Sequence, residues 1–147
     1  MKVMALDFGS ARTGVAVSDP TGSLARPLCV VERAASEAGL ARIRELIRDE
    51  GAERVVVGLP LSLDGTEGQA AQAARAEAES LAGAVGVPVE THDERLTSVS
   101  AGRSLAGSGL PSRARRRARR GSVDKVAAAI MLQSWLDARA GRGNPDE

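Results

Sequence analysis

Asp7-Phe8-Gly9-Ser10-Ala11-Arg12-Thr13-Gly14-Val15-Ala16 is the stretch whose reading decides the fold. An apolar run over residues 3–6 brings a carboxylate to the end of a strand. Gly9 and Gly14 permit a tight reversal with Arg12 inside it, and a second apolar run over residues 15–17 leads back. A carboxylate in that place can hold a hard cation, and the arginine with the loop amides can hold a phosphate. The competing reading is that Asp7 only caps the Gly9 turn.

Working outward, residues 2–8 and 12–18 read as two strands joined by this loop. Asp19-Pro20-Thr21-Gly22 is a turn signal, and residues 26–31 read as a third strand. Connections this short predict an antiparallel meander. The apolar period then changes: Leu40, Ile43, Leu46 and Ile47 recur at helical spacing over residues 38–50, and Gly51 can end that helix. Residues 54–59, with Val55-Val56-Val57, read as a strand closing at Gly58-Leu59-Pro60. Alanine-rich residues 66–84 read as a helix, 87–91 as a short strand, and 96–105 as the start of another helix. Residues 107–121 are loop-like and basic. Ser122 is placed to cap a last helix through about residue 138, with Val126, Ala129, Ile130, Leu132, Trp135 and Leu136 as its candidate core positions. One domain over residues 1–138 is expected, followed by a disordered tail over 139–147.

Composition narrows the function classes. At 147 residues the chain is long enough for one genuine core. Phe8 and Trp135 are its only aromatic residues, so the core is aliphatic and a base-stacking platform for single strands is excluded. The single cysteine, Cys29, rules out an internal disulfide and a cysteine-rich zinc site. It lies in an apolar run, which favours a core position over a reactive thiol. Asp7 interrupts the first apolar run, so no signal peptide is read, and no stretch reaches the roughly 20 apolar residues that span a bilayer. A cytoplasmic protein is expected. The net charge of +1 says little, but its distribution says more: Arg113, Arg115, Arg116, Arg117, Arg119 and Arg120 crowd eight residues, with Lys125 just beyond. Arginine outnumbers lysine eighteen to two, a bias that weakens arguments from arginine identity without explaining the clustering. These charges repel one another, and a nucleic-acid backbone would relieve them in a salt-sensitive way largely blind to sequence; a solvated connector is the alternative.

Three segments stand out together: Asp7-Phe8-Gly9 with Arg12 and Gly14; Asp93-Glu94-Arg95-Leu96-Thr97; and Ser122-Val123-Asp124 leading into Ala127-Ala128-Ala129-Ile130-Met131-Leu132-Gln133. With Val57-Gly58-Leu59-Pro60 and Asp64-Gly65 between them, the chain resembles the YqgF family of pre-16S rRNA nucleases, also described as Holliday-junction resolvase-like proteins. The resemblance runs from Lys2 to Leu136. It implies an α/β, RNase H-like fold, a mixed five-stranded sheet flanked by helices, and an acidic catalytic triad that maps to Asp7, Glu94 and Asp124. Ala11 stands where many relatives carry lysine, and Ser98 where a second threonine is common. The first departure bears on phosphate contact near Arg12, and neither touches the triad.

The chemistry stands beside the resemblance. Phosphodiester hydrolysis needs an activated water and stabilisation of charge on phosphate and leaving oxygen. Two divalent ions about 3.5–4 Å apart supply both, and oxygen ligands suit Mg²⁺ or Mn²⁺. His92 is the only histidine, which excludes a histidine-rich zinc site. Asp93 and Glu94 cannot share one face of a continuing strand, and the family pattern selects Glu94, leaving Asp93 a structural role such as pairing with Arg95. Asp124 has a competing role, since an acid two residues after Ser122 also meets the helix dipole favourably. His92 could shuttle a proton or be incidental. Arg12, Arg95, Arg113, Arg115, Arg116, Arg117, Arg119, Arg120 and Lys125 are the candidate phosphate contacts.

The leading expectation is a metal-dependent nuclease trimming the 5′ end of pre-16S rRNA, as a monomer or weak homodimer. A Holliday-junction resolvase with the same triad is the alternative, and a non-catalytic RNA-binding factor is the third. An actin-like ATPase is disfavoured, because it needs a second such fold and a second glycine loop.

Overall fold

The structure is a computed structural model that describes residues 1–9, 12–34, 36–61, 64–93 and 123–141, with the backbone alone at 123, 124 and 141. Three strands come first, β1 (Val3–Phe8), β2 (Arg12–Ser18) and β3 (Ala25–Glu32). Then follow α1 (Glu37–Glu50), β4 (Arg54–Leu59), α2 (Gln69–Ala84), β5 (Val89–Asp93) and α3 (Val123–Gly141). The strands form one sheet in the order β3-β2-β1-β4-β5. β1 pairs antiparallel with β2, β2 antiparallel with β3, and β4 lies parallel to both β1 and β5. The expected meander and mixed five-stranded sheet are both present.

Each boundary follows local chemistry. Ser36 caps α1 by accepting the Gly39 amide at 3.0 Å, and Gly51 closes it in the left-handed region at φ 68°. α2 starts at Gln69, three residues later than the alanine pattern suggested. Thr66 is instead folded back on Asp64, donating from its amide at 3.0 Å and its hydroxyl at 2.7 Å. β5 starts at Val89 rather than 87, since Pro88 has no amide to give; its carbonyl accepts the Val55 amide at 2.9 Å. The last helix continues to Gly141, past the expected end near 138. The expected helix from 96, the loop over 107–121, Ser122 and residues 142–147 lie outside the described residues.

The sheet separates two cores. α1 and α2 cover one face, where Met4, Leu6, Val15, Val55 and Val57 meet Ile43, Leu46, Ile47 and Leu81. The buried α2 positions Ala71, Ala74, Ala78 and Leu81 are spaced three and four apart, and three alanines let that helix lie close to the strands. On the other face Val3, Ala5, Ala16 and Val56 meet Ala128, Ala129, Met131, Leu132, Trp135 and Leu136 of α3. Burying each large apolar side chain of that helix contributes about 1.5–3 kcal/mol. Val126 and Ile130, expected in this core, are only half-buried at the flanks of the stripe, while Ala128 and Met131 take the central positions. Cys29 is half-buried against the α1–α2 core, where burial pushes its thiol pKa up. That is the environment expected of a packing residue.

Candidate active site at the end of the central strand

β1 is the central strand, and Asp7 is its penultimate residue. Two residues earlier, Ala5 packs against α3; strand alternation therefore puts Asp7 on the α3 face, half-buried. The loop that follows is built as tightly as the sequence suggested. The Gly9 amide donates to the Arg12 carbonyl at 2.8 Å, and a Cβ on Gly9 would stand 2.6 Å from that oxygen. Only glycine fits. Gly14 lies inside β2, the strand expected over residues 12–18, directly opposite Asp7, so the reversal is complete before it. Arg12 opens β2, beside the same end of the sheet.

The direction of α3 follows from three contacts. Near its start, Lys125 is within electrostatic reach of Cys29, in the second half of β3. Further along, Gln133 accepts the Ala25 amide at 2.9 Å and donates to the Ser23 carbonyl at 2.9 Å, at the beginning of β3. α3 therefore runs antiparallel to β3 and β1, and its first turn, which contains Asp124, lies at the end of the sheet where β1 reaches Asp7. The positive end of its dipole is at that end too.

On the far side of Asp7, the β1–β4 pairing ends at Leu6 and Val57; Gly58 is the next residue of β4, as Asp7 is of β1, and it pairs with His92. Gly14, Asp7, Gly58 and His92 thus form a row across β2, β1, β4 and β5. His92 is half-buried on the α3 face, its Nε2 3.5 Å from Ser134 Oγ. Asp93 pairs with Leu59 and shares its face, the one covered by α1 and α2, opposite that of Asp7. Sequence marks each residue of this row, but only strand register makes them neighbours.

Of the expected site residues, Asp7, Arg12 and Lys125 are described, and Asp124 is described as backbone in the first turn of α3. Glu94, Arg95, Arg113, Arg115, Arg116, Arg117, Arg119 and Arg120 lie outside the described residues. Among the described residues no group of three histidine, cysteine or acidic side chains comes together. Asp7 by itself fits a hard divalent cation: it offers carboxylate oxygens on a sheet face where both neighbours in its row are glycines.

Residues 1–138 match the RuvX family, described as Holliday junction resolvase. A relative from Anaeromyxobacter sp. (strain Fw109-5), named "Putative pre-16S rRNA nuclease", is 48% identical over 139 residues, covering 95% of this chain and 98% of its own. A Moorella thermoacetica protein of the same name is 46% identical over 137 residues, covering 93% and 95%. Among solved structures, Thermus thermophilus RuvC is similar with a TM-score of 0.54 at 24% identity, covering 96% of this chain and 97% of its own. The fowlpox virus resolvase, solved with Holliday junction DNA, reaches 0.56 at 9% identity, covering 94% and 98%. At those identities the two structures speak for the fold. They agree with the mixed sheet and its helices, the RNase H-like arrangement the sequence implied. The chain therefore belongs to the RuvX family, the YqgF family of the sequence resemblance, and is a phosphodiester-cleaving enzyme.

Proposed function

We propose that this nuclease processes the 5′ end of pre-16S rRNA in the cytoplasm, using Mg²⁺ or Mn²⁺ held by Asp7, Glu94 and Asp124. The observation that carries the reading is the position of Asp7. It ends the central strand on the α3 face, beside the start of β2 and at the end of the sheet where α3 begins. A carboxylate there has a neighbour in chain space for each expected partner: β5 leads directly to residue 94, and the first turn of α3 contains Asp124. A divalent ion bound by these acids would stabilise charge on the phosphate and lower the pKa of the attacking water. Asp7 would fix the ligand geometry from a rigid strand. Arg12, Arg95, Lys125 and the arginines from 113 to 120 would hold the backbone of the nucleic acid without reading its sequence.

The test is cleavage of a precursor RNA by purified protein, with Mg²⁺, with Mn²⁺ and with chelator. Asp7→Asn is expected to abolish cleavage while RNA binding survives. Undiminished cleavage by that variant would defeat the reading, and metal-independent RNA binding with no cleavage by the unsubstituted chain would favour a non-catalytic factor.

A second reading is kept because the family description and the fowlpox and Thermus structures all name Holliday junctions. Four-way DNA has two-fold symmetry, and cutting it symmetrically calls for a dimer. Parallel cleavage of junction DNA and precursor RNA, with the solution mass of the chain, separates the two substrates.

A further inference from the structure

We infer that Arg33 is a further phosphate contact of the reaction site, binding the RNA backbone next to the phosphate held at Arg12. The inference deepens the proposed function and rests on it. Among the described residues Arg33 is the one residue other than glycine with a positive φ, at 50°. A left-handed backbone brings Cβ too close to the following carbonyl oxygen, a strain that glycine escapes. The course of the chain demands this conformation. The Arg33 carbonyl accepts the Ser36 amide at 2.9 Å and hydroxyl at 2.6 Å, and Ala34 is buried in the α1–α2 core. Nothing in that turn demands an arginine, because its bonds are made by the backbone and the residue is exposed. Among the described residues its guanidinium has no hydrogen-bond or ion-pair partner. The strain is borne by a side chain that holds no part of the fold, and strain of this kind gathers at functional sites.

Its place in the sheet points to the ligand. β3 runs in the same direction as β1, because both are antiparallel to the β2 strand between them. The end of β3 therefore lies at the end of the sheet that bears Asp7. Register brings the groups closer: Asp7 is opposite Gly14, and Arg12 is opposite Glu32, whose next residue is Arg33. Arg12 and Arg33 are thus diagonal neighbours across strands about 5 Å apart. Glu32 bonds to neither of them among the described residues, which leaves the Arg33 charge open to an outside anion. RNA whose scissile phosphate lies at Asp7, and which leaves across β2 toward β3, presents its next phosphates to Arg12 and then to Arg33. A guanidinium can take a phosphate through two parallel hydrogen bonds, and it does so without reading a base.

The experiment measures the affinity of the full chain for fluorescein-labelled precursor RNA across a salt series, with chelator present to prevent cleavage, and the thermal midpoint beside it. The unsubstituted chain is compared with Arg33→Gly and Arg33→Lys. Arg33→Gly keeps the left-handed turn without its steric cost, so its midpoint should rise by about 2–4 °C. Its slope of log affinity against log salt should fall by about 0.7, the loss of one phosphate contact on a single strand. Arg33→Lys keeps the charge and should keep the slope. An Arg33→Gly slope equal to that of the unsubstituted chain would overturn the inference and make Arg33 a strained surface charge. So would a lowered midpoint for Arg33→Gly, since the side chain would then be holding the turn. RNA binding by the unsubstituted chain that leads to no cleavage with Mg²⁺ or Mn²⁺ defeats the proposed function instead, and the slopes still decide whether Arg33 touches the backbone.

Discussion

Trp135 donates its indole Nε1 proton to Glu90 Oε1 at 2.5 Å, a contact that ties α3 to the edge strand β5. The other oxygen of Glu90 accepts Arg54 Nη1 at 3.0 Å, so the carboxylate also joins β5 to β4. Arg139 stacks over the indole, 5.4 Å from its centroid. Trp135→Phe keeps a ring in the α3 core but removes the donor and leaves a half-buried carboxylate short of a partner. We expect it to lower stability by about 1–3 kcal/mol. Glu90→Gln, which keeps a neutral acceptor, should cost less. Urea unfolding followed by circular dichroism checks both, and a costly Trp135→Phe beside a costless Glu90→Gln would mean that ring packing and not the charged hydrogen bond accounts for the effect.

The Asp19 turn makes a pH prediction. Its carboxylate accepts Thr21 Oγ1 at 2.6 Å, the Ser23 amide at 2.8 Å and the Leu24 amide at 3.1 Å. The Thr21 hydroxyl first, then the backbone amides, hold its pKa down from 3.8 to about 2. A pKa lowered on folding gives stability that is present above the unfolded value and lost as pH falls through the folded one. The stability difference between the unsubstituted chain and Asp19→Asn should therefore be constant above about pH 4 and shrink between about pH 4 and 2. Thr21→Val should move the Asp19 midpoint, read by carboxyl-carbon NMR, back toward its ordinary value.

Much of this fold was legible from the sequence because its signals are local. The Asp7-Phe8-Gly9 cassette, the Val55-Val56-Val57 run and the Gly51 cap each act within a few residues, and the strands over 12–18 and 54–59 have the expected bounds. What failed was set by competing or distant groups. Asp64 draws Thr66 out of the helix, and the pairing that sets Gly14 opposite Asp7 joins two strands whose alignment no local signal gives. Candidate acids could be named from motif and resemblance, yet the row from Gly14 to His92 is a property of register across four strands and has no sequence signature.

Arg12 offers a test of backbone contact that is independent of catalysis. It opens β2 with its carbonyl tied to the Gly9 amide, which holds the residue beside the end of β1. Removing one phosphate contact should reduce the slope of log affinity against log salt by about 0.7–0.9, the lower value for single strands. Arg12→Ala is expected to weaken binding of RNA of any sequence and to lower that slope by this amount. Fluorescence anisotropy across a salt series measures it. An unchanged slope would make Arg12 a structural charge.

Two glycine-to-alanine changes in helices should have opposite signs. Alanine is the better helix former by about 1 kcal/mol, so propensity alone predicts stabilisation at both Gly39 and Gly83. Gly83 lies near the end of α2, and a Cβ added there would meet nothing within 4 Å, so Gly83→Ala should stabilise. The gain should reach up to about 1 kcal/mol. Gly39 lies in the first turn of α1, where an added Cβ would meet the Arg33 carbonyl oxygen at 2.1 Å and Ala34 Cα at 2.6 Å. Both obstacles are backbone, fixed by the turn whose Arg33 carbonyl also accepts the Ser36 amide at 2.9 Å and hydroxyl at 2.6 Å. The helix would have to lift away from that turn and loosen the Ser36 cap. Gly39→Ala is therefore expected to destabilise by about 1–3 kcal/mol. Thermal and urea unfolding of the two variants side by side decide the matter. Stabilisation by both would mean that the Arg33 turn yields to the methyl group, and that helix propensity and not close approach governs the start of α1.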